Sequence, residues 1–214
     1  MEEDSYLNFM KFIEESQDKW VHADVKKDKR GEEFTLWERI GGDIKTAFPI
    51  MKCEGILQCS AKQVYEFMLT TDLKIRRKWD ASLLKFEIVK TISPTNHVVH
   101  FVYKTPFPVK SRDFCMQRIL KEDFSPTDGK VRYAILGASV VDDIIPQSSK
   151  YIRGEILIGG FLLEEQTENV CKITSVNYID PKGWIPKFVI NLTKNRSLQT
   201  LLKFSEIISA QCEI

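Results

Sequence analysis

Three histidines, His22, His97 and His100, are all that the 214 residues offer, which leaves little material for acid–base or metal chemistry. Strand alternation in "HVVHFVY" sets His97 on the face of Val99, Phe101 and Tyr103, and His100 on the face of Val98 and Val102, so the two do not converge easily. The five cysteines, Cys53, Cys59, Cys115, Cys171 and Cys212, include no CxxC pair. Their odd count suits a reducing compartment, and they are expected to be small packing residues rather than disulfide or zinc partners. No P-loop, dinucleotide fingerprint or HExxH occurs. A nucleophile set can be assembled from Cys115, His100 and Asp113, but no elbow or oxyanion motif accompanies it. The carboxylates Asp142 and Asp143 precede Pro146 and read as a turn bonding its own backbone. No catalytic residue, metal or cofactor is therefore expected.

Charge of one sign is also missing. Lys and Arg number 31, Asp and Glu 30, and the basic residues are interleaved with acids, which argues against nucleic acid as a partner and makes any electrostatic function local. No apolar run approaches the roughly 20 residues of a spanning helix. The opening "MEEDSYLNFM" is acidic where a secretory signal is basic, so a cytoplasmic protein is expected, with the sequons at Asn191 and Asn195 unmodified. Length and even composition predict a single domain over residues 1–214.

What is present is pattern. Tyr6, Phe9, Met10, Ile13 and Trp20 recur at helical spacing and predict an amphipathic first helix. Two hairpin turns follow at "KKDKRGEE" and "GGD", then a strand in "KTAFPIMKCEGILQCS", then a helix capped by Ser60 over "AKQVYEFMLTT". A second short helix carries "KIRRKWDASL", two arginines and two lysines beside Trp79 and Asp80. From Leu84 short alternating segments divided by Pro, Gly, Asn and Asp read as an antiparallel meander, giving about nine strands in all. The chain closes on a long helix with Phe188, Asn191, Leu192, Leu198, Leu201, Leu202, Phe204 and Ile208 in its apolar stripe and Pro186 near its first turn. The class is α+β: a large antiparallel sheet coils, and with one long helix in its concave side it encloses space.

"IRRKWD", "YKTPFPVKSRDFCMQR", "SKYIRGE" and "YIDPKGWIPKFVINL" occur in an order and spacing that resemble the StAR-related lipid-transfer (START) domain family, over nearly the whole chain, and come nearest to its phosphatidylcholine-transfer branch. The resemblance implies a helix-grip fold around a tunnel for one lipid, hence a non-enzymatic carrier of a phospholipid, phosphatidylcholine among the candidates. A sterol, ceramide or fatty-acid carrier, a lipid-sensing module and a helix-grip hydrolase are the alternatives. It implies that Arg76 contacts the lipid phosphate, braced by Asp80 one helical turn on, with Phe101 as a headgroup aromatic. Thr70 and Leu157 stand where other aromatics of a choline site are expected. Val99, Tyr103, Phe114, Met116 and Leu157 are the expected tunnel lining. The loop of Phe107 and the segment of Trp184 and Lys187 are the expected gate and membrane contact. Partners implied are one lipid and, transiently, a membrane surface, with the chain a monomer.

Overall fold

The computed structural model describes residues 2–39, 46, 48–125, 127, 129–141 and 143–212; the "GGD" turn and Asp142 lie outside them. The chain opens with α1 (Glu2–Glu14), whose acidic Glu2, Glu3 and Asp4 occupy the positive end of the helix dipole and whose Tyr6, Phe9 and Met10 form a buried face. Three strands follow: β1 (Trp20–Lys27), β2 (Glu33–Arg39) and β3 (Met51–Leu57). Next come α2 (Ala61–Met68) and α3 (Leu73–Trp79). Ser60 caps α2 by accepting the Gln63 N–H while its hydroxyl donates to the Gln63 side chain at 2.7 Å, and Asp72 caps α3 by accepting the N–H groups of Lys74 and Ile75. The meander comprises β4 (Leu83–Ser93), β5 (Asn96–Tyr103), β6 (Arg112–Phe124), β7 (Val131–Ser139), β8 (Ile152–Arg153), β9 (Glu155–Thr167) and β10 (Val170–Asp180). It leads into α4 (Lys187–Cys212).

The sheet order is β1-β2-β3-β10-β9-β7-β6-β5-β4. These nine strands pair antiparallel throughout, and the two-residue β8 adds a tenth, parallel to the start of β6. The sheet curves without closing into a barrel. Side-chain parity divides it cleanly. Ile119, Ala134, Leu136, Leu162 and Val176 pack against α1 on the convex face. Phe34, Leu36, Cys53, Tyr133, Leu163 and Ile173 pack on the concave face against α2, α3 and the Leu198, Leu201, Phe204 and Ile208 row of α4. Gly55 is glycine because a Cβ there would meet the Phe34 ring at 2.2 Å. Asp28 is buried in the turn between β1 and β2, accepts the N–H groups of Arg30 and Glu32, and takes the Ser205 hydroxyl of α4 at 2.7 Å.

Two expectations are corrected. Cys59 and Cys212 form a disulfide across 153 residues, fastening the end of α4 to the start of α2. Sequence spacing gives no hint of it, because only the path of α4 back over the sheet brings the two together. The apolar stripe of α4 also does not face inward along its whole length: Phe188 and Leu192 are about half exposed, and Val189 is the buried residue of the first turn.

Candidate functional site

Between the concave face, α3 and the first half of α4 lies a cavity of about 340 Å³ open to the centres of water molecules, bounded chiefly by apolar side chains. Its wall at one end follows from the β5–β6 register. Tyr103 pairs with Arg112, Phe101 with Phe114, Val99 with Met116 and His97 with Arg118, so all eight side chains share one face. Phe101 stacks on Phe114 with ring centres 5.4 Å apart, and the Tyr103 ring meets both edge-on. Phe101, Tyr103, Phe114 and Met116 border the cavity. Val99 is fully buried in the cluster with Leu83, Phe101, Phe114 and Ile156, and is not part of the cavity surface.

Leu157 lies elsewhere. Tyr178 pairs with Ile158 but Ile179 pairs with Ile156, so Leu157 is the extra residue of a β-bulge. The bulge breaks the alternation, turns Ile156 into the cavity and leaves Leu157 on the α1 side beside Ser5 and Asn8. An ungapped count from the flanking motifs leads to the wrong residue for this reason.

The side chain of Arg76 points in from α3. Its Nε donates to the Thr70 carbonyl at 2.6 Å and an Nη to the Met68 carbonyl at 2.8 Å, closing the C-terminal end of α2. Its guanidinium lies 3.7 Å from the centre of the Phe86 ring. The brace from Asp80 expected at one turn's spacing is not made. Asp80 ends α3 with its backbone turned out of the helix, and its carboxylate accepts the Ser82 hydroxyl at 2.5 Å and the Ser82 N–H at 3.2 Å. Burial pushes the Arg76 guanidinium down to about 10, with Tyr103 opposing, Arg118 adding to the fall and the attraction of Asp80 smaller than either. Tyr103, facing Asp80, is held above the usual phenol range by burial first and then by that carboxylate.

Two arginines of β6 escaped the sequence reading although they share the parity of Phe114 and Met116. Arg112 donates to the carbonyls of Pro181, Lys110, Lys182 and Trp184, and so ties the loop after β5 to the segment before α4. Arg118 is buried beside His97. The expected gate residues sit on the two segments Arg112 joins. Phe107 is 95% exposed, Trp184 is 75% exposed and Lys187 is exposed. Lys182 is paired with Asp180 and Glu155 at 2.7 Å each, in a turn where Lys182 and Gly183 both have positive φ.

His100, Asp113 and Cys115 lie on the convex face, away from the cavity. Asp113 accepts from His100 at 3.0 Å and from both Nε and an Nη of Arg153 at 3.0 and 2.8 Å. Burial by itself would raise this carboxyl, but the hydrogen bonds from Arg153 and His100 outweigh it and hold it below its ordinary value. Among the described residues no group of acids, histidines and cysteines is arranged to hold a metal.

A curved antiparallel sheet gripping a long helix around an apolar cavity, with a guanidinium in the wall, defines a module for enclosing a small amphiphile. The chain belongs to the START domain family, whose family model matches residues 2–213. It is 27% identical over 120 residues to human START domain-containing protein 10, covering 56% of this chain and 39% of that protein. It is 24% identical over 132 residues to the rat phosphatidylcholine transfer protein, covering 62% and 60% of the two chains. It therefore spans less than two thirds of the length of these relatives. Among solved structures, human StAR-related lipid transfer protein 5 superposes with a TM-score of 0.82 at 17% identity, covering 100% of this chain and 97% of that one.

Proposed function

We propose that the protein binds one phospholipid in this cavity and carries it between membranes. The observation that carries this reading is the state of Arg76: of its five N–H donors two are spent on carbonyls, and three remain on a side chain that borders an apolar cavity. An arginine in such a wall suits a phosphate, which takes a forked pair of donors, while the lipid tails occupy the aromatic and aliphatic remainder. Phe101, Tyr103, Phe114 and Met116 are assigned to the lining. Asp80 is assigned to the headgroup end, where it orders Ser82 and Tyr103 rather than Arg76. The matches to the phosphatidylcholine transfer protein and, at 20% identity over 167 residues, to the human ceramide transfer protein support a lipid cargo. A mouse acetyl-coenzyme A thioesterase is also 26% identical over 142 residues, but His100, Asp113 and Cys115 face away from the cavity, which favours a carrier over a hydrolase.

Burying acyl chains is worth about 0.8 kcal/mol per methylene, so release into water is prohibitive and exchange needs contact with a bilayer. Phe107, Trp184 and Lys187 are assigned to that contact, in the cytoplasm and with the protein as a monomer. The test is transfer of a fluorescent phospholipid from donor to acceptor vesicles. The reading expects transfer well above the protein-free rate, and a rate equal to the blank would end it. Sterol or ceramide moving while phospholipid does not would assign the fold a neutral cargo instead.

A further inference from the structure

The charges around the cavity are strongly unequal, although the chain as a whole is nearly neutral. The described residues bordering it include five basic side chains, Arg76, Lys104, Arg112, Arg118 and Arg196, and one acidic, Asp80. Arg112 is satisfied by four carbonyls and is accounted for. Arg118 is not. It is 4% exposed, and among the described residues its Nε has no hydrogen-bond partner and its single hydrogen bond is from an Nη, 3.5 Å from His97 Nδ1. The groups that face it are His97 from the neighbouring strand, the Tyr65 hydroxyl from α2, the Phe86 ring 5.9 Å away and Arg76, which it repels. None of these is an acid.

A buried guanidinium with idle donors and no counter-ion is costly unless a ligand supplies the missing negative charge. The guanidinium groups of Arg76, from α3, and Arg118, from β6, both lie near the Phe86 ring, 3.7 and 5.9 Å from its centre, and both border the same cavity. A zwitterionic headgroup would bring one anionic phosphate and a new cation, which then needs an aromatic face or a carboxylate. Phe86 is already covered by Arg76, Phe101, Tyr103 and Phe114 are packed on one another, and Asp80, the one acid bordering the cavity among the described residues, is engaged with Ser82, so a second cation would join five basic side chains with little to offset it.

We propose that Arg118 is a second headgroup ligand, and that the pair Arg76–Arg118 selects a lipid whose headgroup carries net negative charge, with a phosphomonoester such as that of phosphatidic acid the best match. This rests on the phospholipid reading above and narrows it. The apolar lining of the cavity assigns the phosphate to a lipid rather than to a free ion.

The test loads lipid-stripped protein from vesicles holding phosphatidic acid and phosphatidylcholine in equal amounts, re-isolates it and identifies the bound lipid by mass spectrometry. Wild type is expected to hold the anionic lipid in about tenfold or greater excess, and Arg118→Gln to fall to near parity while still holding phosphatidylcholine. Equal occupancy in wild type, or an unchanged excess in Arg118→Gln, would overturn the proposal. Uptake of no phospholipid at all would instead overturn the broader reading. Thermal unfolding of the lipid-free proteins separates binding from support. Arg118→Gln and Arg118→Met should melt at or above wild type, because an unpaired buried charge has been removed, and unfolding of both variants would assign Arg118 to the scaffold and refute its role as ligand. Millimolar inorganic phosphate should neither displace the bound lipid nor protect the stripped protein. Protection equal to that by phosphatidic acid vesicles would make the ligand a free anion and refute the lipid assignment.

Discussion

Arg76 does two jobs with one planar group. Two donors close the end of α2 on the carbonyls of Met68 and Thr70, and the rest are held over Phe86 at the cavity wall. Arg76→Gln should therefore cost about 1–2 kcal/mol of stability, since two carbonyls lose their donors, and lower phospholipid transfer by about tenfold; chemical denaturation and the vesicle assay measure the two separately. On the convex face Asp113 makes a different prediction. A carboxyl held below its ordinary 3.8 in the folded chain binds fewer protons than the unfolded chain does. Its contribution is full above that value and disappears as the pH falls through it and below. Asp113→Asn should cost about 2–3 kcal/mol at neutral pH and flatten the loss of stability between about pH 5 and 3, read by denaturation at each pH. A single sequence marks Arg76, through the "IRRKWD" resemblance, but not its partners, because those are carbonyls of the preceding turn rather than the acid one turn on. Arg118 was open to discovery, having the same alternation as Phe114 and Met116, but a charged residue on a strand is ordinarily solvated and parity alone does not name the inward face.

The segments that border the cavity at Thr105 and Pro181 are joined to each other by Arg112. Arg112, near the start of β6, reaches the Lys110 carbonyl on one side and those of Pro181, Lys182 and Trp184 on the other. Lysine cannot spread donors over that arc. Arg112→Lys should raise amide hydrogen exchange in segments 105–111 and 181–186 while the centre of the sheet stays protected; unchanged exchange in both segments would remove Arg112 as their tie. The same segments expose Phe107 and Trp184, and the first turns of α4 add Phe188 and Leu192. Of these exposed apolar side chains, Phe107 and Trp184 are the ones assigned above to the proposed bilayer contact. Replacing Phe107 and Trp184 together by serine should leave the melting temperature within a degree or two, because neither is buried, and should reduce co-sedimentation with vesicles several-fold. The boundaries of these elements were largely readable, since turn residues and caps act locally: Ser60 before α2 is the clear case. The inward face of α4 was not, because its first two turns border the cavity through Val189 and Thr193 and leave Phe188 and Leu192 outside.

At the scale of the molecule, nine strands and a helix surround space rather than fill it. The alternating pattern from Leu84 onward and the long final helix announce this architecture, because antiparallel strands with short turns and one amphipathic helix have few other ways to bury both patterns. Three global features stay hidden from such reasoning. The bulge at Leu157 inserts one residue without any local signature, the Cys59–Cys212 disulfide depends on where α4 ends over the sheet, and β8 is too short to register as a strand. The open edges carry charge, Asp24, Lys26 and Lys27 on β1 and Lys85, Glu87 and Lys90 on β4, which discourages sheet-to-sheet pairing and suits the monomer proposed here.

The cavity and its cargo are best tested together by weighing the protein intact. Purified from cells without detergent and examined by native mass spectrometry, it should carry one phosphate-containing lipid per chain, and the Arg76→Gln protein, compared where it remains folded, should carry that lipid at about a tenth of the wild-type occupancy. Wild-type protein that is lipid-free, or that holds only neutral lipid, would contradict the account.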